Sequence, residues 1–89
     1  MIEQQLKIGN RLGLHARPAA LIAQTASKFQ ADISLTKDQI TINAKSIMGV
    51  MMLAAEFGSD LCLKVEGPDE KEAFEAIKKI FDDKFNEEF

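Results

Sequence analysis

The sequence has little of what covalent cross-links and metal sites require. Its 89 residues include one cysteine, Cys62, and one histidine, His15. A single cysteine cannot form an intramolecular disulfide, and no cluster of cysteine and histidine offers a zinc site. We therefore expect no metal, no cofactor and a reducing, cytoplasmic location.

Long apolar runs, leader segments and basic blocks are scarce too. The longest apolar stretch, residues 47–55, is too short to span a bilayer, so we expect no membrane insertion. The first residues lack a basic region followed by an apolar core, so we expect no signal peptide. The 11 basic and 14 acidic residues give a net charge of −3. Without a basic block, nucleic acid is not expected as a direct partner.

What remains is the profile of one small globular domain covering residues 1–89. Apolar residues make up 46% of the chain and charged residues 28%. A domain of this length has a modest core and little room for a deep substrate pocket beside it. We therefore expect the function to take place on the surface, with larger protein partners.

Hydrophobic patterning predicts the element order β-α-β-β-α-β-α. The predicted strands cover residues 2–8, 31–36, 39–44 and 61–66, and the predicted helices cover residues 16–29, 47–57 and 69 onward. Four alternating strands need one apolar cover. We expect an α+β open-faced β-sandwich, in which a four-stranded antiparallel sheet is covered on one face by three helices.

Local signals refine this expectation. Residues 37–38 suit a tight turn, and Gly58 suits the end of the second helix. Asp69, followed three residues later by Glu72, resembles a capping box at the start of the last helix. Cys62 alternates with core positions, so we expect an unreactive thiol on the open face of the sheet.

His15 stands where a loop becomes a helix, in the run Gly-Leu-His-Ala-Arg-Pro-Ala of residues 13–19. The unpaired N–H groups and the dipole of a helix start attract anions, phosphate among them. Arg17 adds a charged donor fork suited to phosphate oxygens, and Pro18 stiffens the first turn. A neutral imidazole has a nitrogen lone pair that can attack phosphorus. Alternatively, His15 merely ends the loop and caps the helix, and the residues alone do not decide between the two.

The second helix combines an N-cap with an unusually apolar sequence. Ser46 precedes it and is predicted to cap it. At about 100° per residue, one side of this helix faces the core and the methionines point away. The predicted core positions are Val50, Leu53, Ala54 and Phe57. Exposed methionines adapt to several partners, so we predict a docking surface here. We define this docking surface as Leu14, Ala20, Leu21, Ile47, Met48, Met51 and Met52.

Two motifs in register resemble those of one family. Residues 13–19 resemble the active-site signature of the HPr family, the histidine-containing phosphocarriers of the bacterial phosphotransferase system. Residues 45–51, Lys-Ser-Ile-Met-Gly-Val-Met, resemble the regulatory-serine motif of the same family. The resemblance covers essentially the whole chain and implies the same element order.

The resemblance also implies a mechanism and a set of partners. Enzyme I, charged by phosphoenolpyruvate, would phosphorylate His15 on Nδ1, and Arg17 would hold the phosphoryl group. IIA proteins would then receive the group for sugar uptake. Ser46 would be the target of HPr kinase/phosphorylase where the host has one. The chain would be a phosphoryl-transfer intermediate rather than a conventional turnover enzyme, and we expect a monomer.

Departures from the family pattern keep other functions open. Ala54 stands where a glycine is common, and Phe57 replaces a residue that is often basic. The acidic, aromatic segment of residues 81–89 is longer than in many relatives and resembles the nitrogen-type paralogue, NPr. The alternatives are therefore a nitrogen-type phosphorelay carrier and a module that only docks partners. A conventional enzyme with His15 as general base lacks a supporting carboxylate motif.

Overall fold

The computed structural model describes residues 1–87, which contain four strands and three α-helices in the predicted order. The strands are β1 (Ile2–Lys7), β2 (Asp32–Lys37), β3 (Ile40–Asn43) and β4 (Asp60–Glu66), and the helices are α1 (Ala16–Ala26), α2 (Ile47–Met52) and α3 (Glu70–Asp82). All strand pairs are antiparallel, and the sheet order is β1-β4-β2-β3. The predicted α+β open-faced sandwich is confirmed. None of the helices described is long and apolar enough to cross a membrane.

The core lies between one face of the sheet and the three helices. Along β4, Leu61, Leu63 and Val65 are fully buried, whereas Lys64 between them is exposed. The helices cover these side chains with apolar residues spaced at helical intervals, such as Ile22 in α1 and Ile77 in α3. α1 packs against both α2 and α3. The apolar face of the strands, with period 2, and the apolar faces of the helices, with period 3.6, therefore pack together in a single core.

Cys62 lies on the open face of the sheet, as expected. Its Sγ is 3.7 Å from Glu3 Oε2. Partial burial, and then the negative charge of Glu3, raise the pKa of the Cys62 thiol. Because the thiolate is the reactive form, this environment supports the prediction of an unreactive thiol.

The turn between β2 and β3 lies one residue later than predicted. Asp38 and Gln39 both have positive φ, at 50° and 74°. Two successive residues of this kind form the type I′ turn, whose twist matches that of the flanking strands. The turn is therefore centred on residues 38–39 instead of 37–38.

α1 ends at Ala26, three residues earlier than predicted.

The prediction of a capping box at Asp69 is wrong. The Asp69 carboxylate makes no capping hydrogen bond to α3. It accepts instead from the backbone N–H groups of Gln30 and Ala31, at 2.9 and 2.8 Å. Glu70, and not Glu72, reaches back to accept from the Gly67 N–H at 3.1 Å. Asp69 therefore ties the chain after α1 to the start of α3.

α2 is five residues shorter than predicted, so residues 53–57 lie outside the helix. Val50 and Leu53 are buried, as expected. Ala54, however, adopts a left-handed φ of 50°, so the helix cannot continue through it. Ala54 is consequently exposed and Phe57 is 62% exposed, so their placement in the core was wrong. Gly58 does not end α2 and lies in the loop beyond it.

Gly13 allows the loop before α1 to contact the chain after α2. The N–H of Leu14 donates to Ala55 O at 2.9 Å, and the N–H of Gly58 donates to Ile8 O at 2.9 Å. Gly13 has a φ of +69°, and a Cβ built on it would lie 2.5 Å from Ala55 O. Only glycine satisfies both the backbone conformation and this close approach.

Gly13→Ala should destabilise the protein by roughly 2–4 kcal/mol, because it combines an unfavourable left-handed backbone with a disturbed hydrogen bond. The matched control is Gly58→Ala, which has a φ of +86° but no atom within 4 Å of the added Cβ. We expect Gly58→Ala to cost only about 1–2 kcal/mol. Urea denaturation of both variants measures the difference, and equal losses would contradict the role of the contact.

Candidate functional site

His15 is the N-cap residue of α1, but its side chain does not cap the helix. The residue is extended, with φ −79° and ψ −173°, and the imidazole makes no capping hydrogen bond. Its backbone N–H donates to Gly13 O at 3.0 Å, and its carbonyl accepts from the Ala19 N–H at 3.0 Å. The side chain is 37% exposed. The backbone thus fixes the residue while the imidazole reaches solvent, which the simple capping interpretation does not explain.

The first turn of α1 suits an anionic ligand. Arg17 is exposed and Pro18 is buried, and the turn contains no acidic residue. The N–H groups of a first helical turn have no acceptors within the helix, and the dipole adds partial positive charge there. A phosphoryl group on His15 would therefore enter a region of favourable potential.

A carboxylate from the far end of the chain contacts the imidazole. Glu87 Oε2 lies 2.8 Å from His15 Nε2, and Glu87 Oε1 accepts from Asn10 Nδ2 at 2.7 Å. An ionised carboxylate only accepts hydrogen bonds, so Nε2 must carry a proton. Within residues 1–87, Nδ1 has no hydrogen-bond partner. Nδ1 is thus the ring nitrogen open to a reaction.

The contacts of Glu87 favour its ionised form. The hydrogen bond from Asn10 is the largest cause that lowers the pKa of Glu87, followed by the hydrogen bond from His15. The positive charge of Arg17 acts in the same direction, and partial burial opposes it. A negative charge therefore stands beside the imidazole at neutral pH.

Sequence reasoning predicts His15 and Arg17 for this site but does not predict the contacts of Glu87 with His15 and Asn10. Glu87 lies 72 residues from His15 along the chain, and 77 from Asn10. No motif or periodicity connects positions so far apart. The sequence analysis describes residues 81–89 as an acidic, aromatic segment and assigns no role to Glu87. Residues 88–89 lie outside the described part of the chain.

Ser46 is the N-cap of α2, as predicted. Its Oγ accepts from the Gly49 N–H at 3.0 Å, and the residue is exposed. A hydroxyl in this position satisfies one first-turn donor and remains accessible to a modifying protein.

The methionines of the docking surface are exposed, as predicted. Met48 is 76% exposed, Met52 69% and Met51 43%, with Ile47 beside them at 42%. Ala20 and Leu21 are half-buried on α1. The placement of Leu14 in this surface was wrong. Its side chain is only 6% exposed and belongs to the core, and its backbone N–H bonds to Ala55 O. Six residues of the docking surface therefore remain accessible.

No group of three potential metal-ligating side chains occurs among the residues that the structure describes.

Comparison with known proteins places this chain in a family. Residues 2–83 match the family model described as the PTS HPr component phosphorylation site. The Phosphocarrier protein HPr of Treponema pallidum is 56% identical over 88 residues, covering 99% of this chain and all of the relative. Among solved structures, HPr-C-His from Thermoanaerobacter tengcongensis superposes with a TM-score of 0.95 at 49% identity, covering both chains completely. An HPr dimer from the same organism superposes with a TM-score of 0.79 at 49% identity, covering 98% of this chain and all of the other.

The family model spans nearly the whole chain, and the relatives share its full length and fold. The chain belongs to the HPr family, the phosphocarrier component of the phosphotransferase system.

Proposed function

We propose that the chain accepts a phosphoryl group on His15 Nδ1 from enzyme I, charged by phosphoenolpyruvate, and donates it to IIA proteins in sugar uptake. The observation that carries this proposal is the partly exposed imidazole at the start of α1, whose Nδ1 has no partner within residues 1–87. The nitrogen-type carrier, NPr, would use the same chemistry with a different acceptor.

The residues around His15 supply what the transfer needs. The Nδ1 lone pair forms the bond to phosphorus, while the N–H groups of the first turn of α1 and Arg17 stabilise the charge on the phosphoryl oxygens. Because the site lies on the surface of a small domain, partner proteins complete it. The nitrogen–phosphorus bond stays reactive, so the group can be passed on.

We further propose that residues 1–89 act as one domain, as a monomer in the cytoplasm. The six accessible residues of the docking surface would receive successive partners. Their exposure supports this role, since methionine side chains adapt to differently shaped surfaces. Ser46, at the edge of that surface, would regulate docking when HPr kinase/phosphorylase modifies it.

Incubation with enzyme I and phosphoenolpyruvate should add one acid-labile phosphoryl group to the wild type and none to His15→Ala. Intact-mass measurement follows the adduct. Arg17→Ala should accept the group roughly 10–100-fold more slowly, since a hydrogen bond to a charged group contributes about 1.5–3 kcal/mol. Arg17→Lys should recover part of the rate, because it keeps the charge and loses the planar fork.

Addition of a IIA domain should then remove the adduct. A wild-type protein that gains no phosphoryl group would favour the alternative in which the chain only docks partners. An adduct that persists in His15→Ala would show that another residue is the acceptor.

Met48→Asp should weaken binding to enzyme I about tenfold or more while leaving the free energy of unfolding nearly unchanged, because an exposed side chain stabilises the fold little. Ile40→Asp is the matched control, since Ile40 is also an exposed apolar residue, at 48%, but lies on β3. Calorimetry measures binding, and thermal unfolding measures stability. Severe unfolding of Met48→Asp would show that Met48 belongs to the core instead.

Ser46→Asp should accept the phosphoryl group from enzyme I more slowly than the wild type, because its charge repels acidic groups on the partner. Ser46→Asn isolates the charge, since Asn and Asp are comparable N-caps. Ser46→Asn should behave as the wild type in the same rate measurement. Equal rates for all three proteins would remove the proposed regulation by charge.

A further inference from the structure

The segment after α3 doubles back towards His15. Residues Lys84–Asn86 form a 3₁₀ turn, and Phe85 within it is only 2% exposed. The Phe85 ring packs edge to face on Phe81, with ring centroids 4.9 Å apart. A buried aromatic therefore fixes the segment two residues before Glu87.

The backbone of this turn is left-handed throughout. Lys84, Phe85 and Asn86 have φ values of 52°, 57° and 61°. Residues other than glycine adopt this region at a cost, and three in succession persist only where the surroundings impose them. The Asn86 and Glu87 N–H groups close the turn onto the carbonyls of Asp83 and Lys84, each at 3.0 Å. The strained turn places Glu87 beside the loop before α1, where it contacts Asn10.

Asn10 holds the carboxylate from the other side. It is completely buried, and its Nδ2 donates both to Gly13 O at 2.9 Å and to Glu87 Oε1 at 2.7 Å. Both partners only accept, so they determine which way the amide faces. The Asn10 Oδ1 is buried without a partner among the described residues. Asn10 therefore leaves its own side-chain oxygen without a hydrogen bond, while its side-chain nitrogen binds Glu87.

We propose that Glu87 is a positioning residue for phosphoryl transfer: it holds the Nε2–H tautomer of His15 and so presents the Nδ1 lone pair to the donor. This proposal rests on the proposed function of His15. Glu87 Oε2 accepts from Nε2, while Asn10 on Oε1 fixes the plane of the carboxylate. The arrangement lies across the ring from the reacting nitrogen, so it leaves Nδ1 accessible.

Glu87 also acts during the transfer. The Nδ1 lone pair forms the nitrogen–phosphorus bond, and the bond between phosphorus and the donor breaks, with its electron pair leaving on the donor. The proton stays on Nε2, so the imidazole ring gains positive charge as the bond forms. A carboxylate 2.8 Å from Nε2 stabilises that charge.

A different role for the same contact is competition, in which the carboxylate occupies the anion site and must leave before phosphate enters. The position of Glu87 argues against it, because its oxygens contact Nε2 and Asn10. The two roles predict opposite effects on rate when the charge is removed.

The test is Glu87→Gln, which replaces one accepting oxygen of the carboxylate by a donating NH₂ group and keeps the size and shape of the side chain. Asn10 Nδ2 still needs an acceptor, so it should bind the amide oxygen and direct the amide NH₂ towards His15 Nε2. Nε2 must then accept, which shifts the proton to Nδ1 and blocks its lone pair. The ¹⁵N chemical shifts of the His15 ring, measured where the imidazole is neutral, report this shift of tautomer. We expect phosphorylation by enzyme I to slow about tenfold, the scale of one charge-assisted hydrogen bond.

Two further variants separate this role from general effects. Glu75→Gln removes one negative charge from an exposed position of α3 and should leave both the tautomer and the rate unchanged. Glu87→Asp keeps a carboxylate on a shorter side chain and should recover part of the Nε2–H tautomer and of the rate.

Unchanged ring shifts and an unchanged rate in Glu87→Gln would overturn the proposal. A faster rate in Glu87→Gln would overturn it too, in favour of competition for the anion site. If the wild type accepts no phosphoryl group, the proposed function fails and this role fails with it. The ring shifts would then still show whether Glu87 sets the tautomer, so the two failures can be told apart.

Discussion

The contact between Gly13 and Ala55 is the constraint on which the functional site depends. The backbone of Gly13 passes so close to Ala55 O that no side chain fits between them, and the next residue donates its N–H to that oxygen. This bond buries Leu14 and fixes where α1 begins, so it also fixes His15. The chain reaches this contact through the left-handed Ala54, two residues after α2 ends at Met52. One close approach therefore connects the start of α1 with the end of α2.

The one-sided sheet explains why the site lies on the surface. The apolar faces of the three helices are used to cover β1–β4, which leaves their ends and outer faces to the solvent. His15 and Ser46 occupy equivalent places, each the N-cap of a helix, and they differ in what the side chain does. The Ser46 hydroxyl caps its helix, whereas the His15 imidazole does not and contacts Glu87 instead. Methionines on the outer face of α2 complete a surface suited to partners.

The sequence predicted what local patterns determine. Alternation located the strands, and the helix-start pattern selected His15, which the structure places partly exposed at the start of α1. The errors arose where contacts with distant backbone decide the outcome. α2 ends at Met52, and the chain beyond it bonds to the loop at residues 8–14. Asp69 binds the chain after α1 instead of capping α3. Glu87 was missed because its contacts to His15 and Asn10 cross most of the chain, and no local signal marks them.

We propose that Nδ1 of His15, and not Nε2, carries the phosphoryl group. The most direct test is the ¹⁵N–³¹P coupling in ¹⁵N-labelled protein phosphorylated by enzyme I and phosphoenolpyruvate. The structure predicts a one-bond coupling at Nδ1, since Nε2 holds its proton against Glu87. A coupling at Nε2 would contradict the account, because the Glu87 contact would have to break before the phosphoryl group could bind.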